Sequence, residues 1–226
     1  ETNYDLMKKY YLMAIELGNT DAIHKLGYYY GCYKNKNYDL MKKYYLMAID
    51  LGYTSSMRNL GLHYKNIEQN YDLMKKYYLM AIELGNSKAM FSFGNYYQHI
   101  ETNYDLMKKY YLMAIEANNY LGMLNLGLYY KNIEKNYDLM KKYYLMAIEL
   151  GEAKAMNSFG VYYQCIETNY DLMKKYYLMA IEQKNTDAMI NLGDYYKNTE
   201  KNYDLCIKYY RQAINNGSSK MSKMSK

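Results

Sequence analysis

Apolar and polar positions along this chain follow the spacing of α-helices, and one stretch of that pattern returns almost unchanged. The string Asn-Tyr-Asp-Leu-Met-Lys-Lys-Tyr-Tyr-Leu-Met-Ala-Ile-Glu-Leu-Gly opens at Asn3. It returns, whole or nearly so, at Asn37, Asn70, Asn103, Asn136 and Asn169, and in altered form at Asn202. The spacing is 34 residues once and then 33 five times. A fixed period of this size describes stacked units, each burying its apolar face on its neighbours.

The constant string predicts one helix per unit, here termed helix B. Asn3 suits the N-cap, Asp5 favours the positive end of the helix dipole, and Gly18 is placed for a left-handed C-terminal position. Met7, Tyr11, Ala14 and Ile15 form one apolar stripe, and Leu6, Tyr10, Met13 and Leu17 a second beside it. A helix so widely apolar needs cover on more than one side. A second helix, A, precedes each later B helix, as over 21–30, 88–97 and 154–163. Every A copy holds a pair, Leu26-Gly27, Leu60-Gly61, Phe93-Gly94, Leu126-Gly127, Phe159-Gly160 or Leu192-Gly193, with a tyrosine three residues on. A mid-helix glycine costs about 1 kcal/mol against alanine. Its recurrence predicts a close approach by a neighbouring helix. Seven B and six A helices make thirteen.

Composition adds little chemistry. Half of the 226 residues are apolar, Tyr numbers 36, and Pro and Trp are absent. Net charge is a mild +6. Cys32, Cys165 and Cys206 fit no zinc spacing and read as reduced thiols of an intracellular, cytoplasmic protein. No apolar run spans a bilayer. The only histidines, His24, His63 and His99, form no repeated ligand set, and His99 and Cys165 occupy equivalent places two units apart. The expectation is no catalytic residue, no metal and no cofactor.

The A half, Ala22, Leu26, Gly27 and Tyr30, and the B half, Asn37, Tyr38, Met41, Tyr44, Tyr45, Ala48, Ile49 and Gly52, together resemble the Sel-1-like repeat, a relative of the tetratricopeptide repeat. The likeness runs from residue 1 to about 217. It departs in lacking the family's Gly-x-Gly loop, which shortens the unit, and in placing Ile67, Ile100, Ile133 and Ile166 where the family has a loop valine. The Tyr- and Asn-rich copies are also similar to arrays of amoeba-infecting giant viruses. The resemblance implies an all-α, right-handed superhelical α/α solenoid over 1–217 that acts as a scaffold. Residues 218–226 read as a flexible basic tail.

A longer period is also present. The segment from Ser87 resembles that from Ala153, and the segment from Gly122 resembles that from Ala188, 66 residues apart. The last B helix carries Arg211, Gln212 and Asn215 on its outer face, as a terminal unit requires. The first B helix has no such change. Its stripe of Leu6, Tyr10 and Met13 implies further upstream repeats or a partner over that end.

Within the repeats, helix A varies most at two positions four residues apart: His24 and Tyr28, Arg58 and Leu62, Phe91 and Asn95, Leu124 and Leu128, Asn157 and Val161, Ile190 and Asp194. One turn on lie Gly31, Lys65, Gln98, Lys131, Gln164 and Lys197. Positions i and i+4 share a helix face. In tetratricopeptide-like solenoids helix A lines the concave groove, so the resemblance implies that this stripe reads a protein or peptide ligand. Phe91, Leu124, Leu128 and Ile190 would be the apolar anchors and Arg58 a charged selector. Two alternatives compete with this reading. One is a nucleic-acid surface along the ladder Lys8-Lys9, Lys42-Lys43, Lys75-Lys76, Lys108-Lys109, Lys141-Lys142 and Lys174-Lys175. Asp5 and Glu16 on the same face as Lys9 argue against it. The other is a spacer without a ligand. Lys184 stands where other copies have Gly18, Gly52, Gly85 or Gly151, and Asn118 is the tolerated substitute, so both are expected in left-handed backbone.

Overall fold

The computed structural model describes residues 4–32 and 36–217. Among them are thirteen α-helices and no strand: α1 (Tyr4–Glu16), α2 (Thr20–Cys32), α3 (Tyr38–Asp50), α4 (Thr54–His63), α5 (Tyr71–Glu83), α6 (Ser87–His99), α7 (Tyr104–Glu116), α8 (Tyr120–Tyr129), α9 (Tyr137–Glu149), α10 (Ala153–Cys165), α11 (Tyr170–Glu182), α12 (Thr186–Tyr195) and α13 (Tyr203–Asn215). Odd-numbered helices are B and even-numbered helices are A, so the fold is an α/α solenoid of helix-turn-helix repeats. Two compact units divide the chain, Glu1–Asn119 with α1 to α7 and Tyr120–Lys226 with α8 to α13.

Each described B helix from α3 onward is capped by its asparagine. Asn37, Asn70, Asn103, Asn136, Asn169 and Asn202 accept a bond from the backbone N–H of Leu40, Leu73, Leu106, Leu139, Leu172 and Leu205 at 3.0–3.1 Å. Asn3 and the 218–226 tail lie outside the described residues. The B helices end in left-handed backbone as the pattern requires: φ is +78° at Gly85, +55° at Asn118 and +58° at Lys184.

The A helices after α2 differ from the expected bounds, and they end in two ways. Helices α4, α8 and α12 stop early and run into a π-helical turn over Tyr64–Glu68, Tyr130–Glu134 and Tyr196–Glu200. Gln69, Lys135 and Lys201 then turn left-handed. Helices α6 and α10 instead remain α-helical to His99 and Cys165, two residues past the expected end, and Thr102 and Thr168 take the left-handed position. The 66-residue period is therefore a period of backbone geometry as well as of sequence.

The recurrent glycine has a direct cause. A Cβ built on Gly94 would lie 2.5 Å from the Tyr111 ring, and one on Gly160 2.5 Å from the Tyr177 ring. The same holds for Gly27 with Tyr45, Gly61 with Tyr78, Gly127 with Tyr144 and Gly193 with Tyr210. The close neighbour is thus a tyrosine ring of the following B helix, pressed flat on the A helix. Beside it, a second tyrosine pair stacks in parallel: Tyr97 on Tyr110 at 5.6 Å and 3°, and Tyr163 on Tyr176 at 5.6 Å and 2°. Aromatic contact and apolar burial together lock A to B within each repeat.

Candidate interaction surface on the A helices

The varied stripe does more internal work than its sequence suggests. At His24, Arg58 and Asn157 its first position meets the next A helix of the same unit. His24 Nδ1 lies 2.8 Å from Ser56 Oγ, Arg58 Nε donates to Ser92 Oγ at 3.3 Å, and Asn191 donates to Asn157 at 3.0 Å. Burial lowers the His24 pKa from its ordinary value. Phe91 stacks on Tyr111 at 5.8 Å, and Ile190 packs on Met189 and Ala213. Leu124, expected as an anchor, is 7% exposed and belongs to the packing.

The second position serves the tyrosine behind the glycine. The Tyr111 hydroxyl lies 2.6 Å from both Asn95 Oδ1 and Gln98 Oε1, and the Tyr177 hydroxyl donates to Gln164 at 2.6 Å. The Tyr210 hydroxyl donates to Asp194. Where that layer carries Leu62 with Lys65, or Leu128 with Lys131, the hydroxyls of Tyr78 and Tyr144 are buried with no partner within 3.5 Å and only a weak approach to Ser92 and Ser158. Burial pushes both phenols up to about 12. Part of the variation along the stripe is therefore the A helix answering, or not answering, a buried hydroxyl.

Of the two varied positions, only Tyr28 and Leu128 are exposed, and all the others but Leu124 are half-buried. Tyr28 is 48% exposed and Leu128 39%. Tyr28 and the half-buried Leu62 line a cavity of about 190 Å³ between α2, α3 and α4, with Cys32, Met41, Asn59 and His63 among its other walls. The cavity sits where Gly31 replaces the Lys or Gln of every other repeat. That glycine was the signal in the sequence for a site here. The polar walls are held by bonds: Asn59 donates to the Tyr45 hydroxyl at 3.4 Å and His63 Nε2 lies 2.9 Å from Glu68. Such a recess accepts one apolar side chain and offers amide and imidazole edges beside it.

The lysine ladder is largely compensated, though not by the neighbours expected. The first lysine of a pair reaches 26 residues ahead, to the glutamate at the end of the next A helix: Lys42 to Glu68 at 2.9 Å, Lys75 to Glu101 and Lys174 to Glu200 at 2.5 Å, and Lys141 to Glu167. Lys108–Asp105 at 3.8 Å is a local pair. Each glutamate is also held by its own repeat, through Tyr96, Tyr129, Tyr162 or Tyr195, or through His63. The bonded lysines and tyrosines hold Glu101 and Glu167 below the usual carboxylate range. The second lysines, such as Lys76 and Lys142, rest over the adjacent tyrosine ring at 5.5–5.6 Å. Paired charge of this kind releases few counterions to a phosphate backbone.

Among the described residues no His, Cys, Asp or Glu cluster gathers at metal-binding range, and no helix is long and apolar enough to cross a membrane. His99 and Cys165 close α6 and α10 at the same place, both exposed.

No family model matches the chain, and no curated protein matches it in sequence. Solved structures match it in fold. A protective antigen of uropathogenic Escherichia coli with an SLR fold gives a TM-score of 0.70 at 23% identity, over 98% of this chain and 50% of that one. The chain thus spans half the antigen's length. A Sel1 repeat protein from Oxalobacter formigenes gives 0.69 at 20% identity, over 88% of this chain and 89% of that one. An immunity protein from Pseudomonas aeruginosa gives 0.57 at 18% identity, over 87% and 81%. The architecture is that of the Sel1-like repeat.

Proposed function

We propose that the chain is a non-catalytic interaction scaffold that holds a protein or peptide segment against its A helices, with the recess between Tyr28 and Leu62 seating one apolar side chain of the ligand. The observation that carries this reading is the recess itself: it opens on the varied stripe, in the one repeat where Gly31 replaces Lys or Gln and lets the Met41 thioether come to 2.9 Å from where a Cβ would stand, and it has apolar walls with bonded polar edges. The repeat fold supports it, since within each unit the stacked A/B pairs present a surface whose helix A residues change while helix B stays constant. The paired lysines disfavour a nucleic-acid surface.

Selection of peptides from a random display library on the immobilised array tests the reading. Selected peptides should lose at least about tenfold in affinity for the Tyr28→Ala/Leu62→Glu array, with its helical circular dichroism unchanged. Equal binding to both arrays removes the recess from the site. Selection of nothing beyond salt-sensitive polyanions would move function to the lysine face.

A further inference from the structure

The tyrosine ring over each A-helix glycine carries a hydroxyl that two positions of that A helix can answer, one and four residues beyond the glycine. Tyr111 finds acceptors at both, Asn95 Oδ1 and Gln98 Oε1 at 2.6 Å. Tyr177 donates to Gln164 at 2.6 Å, and Tyr210 donates to Asp194. Tyr78 and Tyr144 have leucine and lysine at the two positions and no partner within 3.5 Å.

Tyr45 is a different case. Its two positions are Tyr28 and Gly31, so α2 has no side chain where α6 and α10 carry Gln98 and Gln164. Met41 closes that place to α2 itself, because a Cβ on Gly31 would come to 2.9 Å from Met41 Sδ. Tyr45 is 3% exposed, and its hydroxyl receives one bond, from Asn59 Nδ2 at 3.4 Å. Arg58 donates to Asn59 Oδ1 at 3.2 Å, which leaves the amide nitrogen, a donor, to face Tyr45. Among the described residues nothing accepts the Tyr45 proton. Burial pushes this phenol up from its ordinary value, so the proton stays on the oxygen at neutral pH. Tyr45 is also a wall of the recess of about 190 Å³. A buried donor without an acceptor therefore borders a space, in the place where two other repeats put a glutamine.

We propose that the recess is a glutamine pocket: it takes the side chain of a glutamine in the ligand polypeptide, whose amide oxygen accepts the Tyr45 proton as Gln98 and Gln164 accept those of Tyr111 and Tyr177. This rests on the recess being the ligand site and refines what enters it. The apolar stem of the glutamine meets walls such as Met41 and Leu62, and its tip makes the bond whose absence is a cost of burying Tyr45. Leucine or methionine would fill the walls and leave the hydroxyl unanswered. Glutamate could accept the proton, but its charge would lose water among apolar walls, and Lys36 at the rim is itself exposed.

The test starts from peptides selected on the immobilised array from a random display library. Those that lose binding to the Tyr28→Ala/Leu62→Glu array are kept as recess ligands. Each is remade with its glutamines changed in turn to methionine, which is unbranched and lacks the amide, and measured on the original and Tyr45→Phe arrays. Tyr45→Phe keeps the ring on Gly27, and circular dichroism checks that the array stays folded. Recess ligands should share a glutamine. Its change to methionine should weaken binding about tenfold on the original array and less than about twofold on Tyr45→Phe. Recess ligands without glutamine, or whose glutamine matters equally on both arrays, overturn the glutamine assignment and leave the recess as the ligand site. If no selected peptide depends on the recess, both readings fall together.

Discussion

The glycine–tyrosine contact can be tested by a change of sign. In an open helix interior Gly→Ala stabilises by about 1 kcal/mol. At Gly94 the new Cβ would stand 2.5 Å from Tyr111 Cδ1 and 2.6 Å from Cε1. The ring must retreat by about 1 Å to reach ordinary contact, at an overpacking cost of about 1–3 kcal/mol. Its hydroxyl then leaves Asn95 and Gln98, now 2.6 Å away, for about 1 kcal/mol more. Gly94→Ala should therefore destabilise by about 2 kcal/mol. In a Tyr111→Ala background the ring is gone, and Gly94→Ala should stabilise by about 1 kcal/mol, a coupling of about 3 kcal/mol. Urea unfolding of the four proteins, fitted with a nearest-neighbour repeat scheme, measures this, and the other repeats keep the weakest variant folded. The same sign for Gly94→Ala in both backgrounds would refute the argument.

Three further outcomes follow from the same geometry. Tyr144→Phe should be neutral or slightly stabilising because its buried hydroxyl has no partner within 3.5 Å, whereas Tyr111→Phe should cost about 1 kcal/mol; comparing urea midpoints decides. Lys184→Gly should raise stability by about 1 kcal/mol, and Thr102→Gly by about 1–2 kcal/mol since a β-branched residue suffers more at positive φ; a lower melting temperature for either rejects the strain. Glu101 and Glu167 have folded pKa values below their unfolded ones, so their pairs stabilise above about pH 4.5 and lose that contribution as pH falls through the folded values. Glu101→Gln/Glu167→Gln should flatten the acid limb of a melting-temperature profile by about 0.5 kcal/mol per solvent-screened pair; an unaltered limb would place acid sensitivity elsewhere.

Much of the fold was legible because helix B repeats its own signals. Asn at the cap, glycine at the end and thirteen residues between them define each B helix, and the left-handed backbone at Lys184 follows from its alignment with Gly151. The recurrent glycine announced a close contact but not that a tyrosine ring makes it, since glycine records only the space. The use of the stripe was harder to read. His24 and Arg58 share a face with Tyr28 and Leu62, yet the first two meet the next A helix and the last two line a recess. Helical spacing assigns a face and is silent about which edge of it a neighbour covers. The two ends of helix A were hidden for a different reason: Tyr-Lys-Asn-Ile-Glu and Tyr-Gln-His-Ile-Glu have one polarity pattern, and only the first forms a π turn. Left-handed Gln69, Thr102 and Lys135 carried no signal, because none is a residue that favours that region.

The sameness of helix B also bears on how such a chain can change length. Thirteen identical residues in five places make any exchange of chain segments within that stretch neutral for helix B. An exchange within that stretch joins the front of one repeat to the back of another. The lysine that reaches forward and the tyrosine that fits a glycine lie in the shared stretch; the glycine recurs in every A helix, and the glutamate after every A helix but α2. Unequal exchange therefore adds or removes whole repeats while keeping the glycine–tyrosine joint of A on B, and changes the side-chain bonds between successive A helices. The surface that meets a ligand can be rewritten while the joints stay the same.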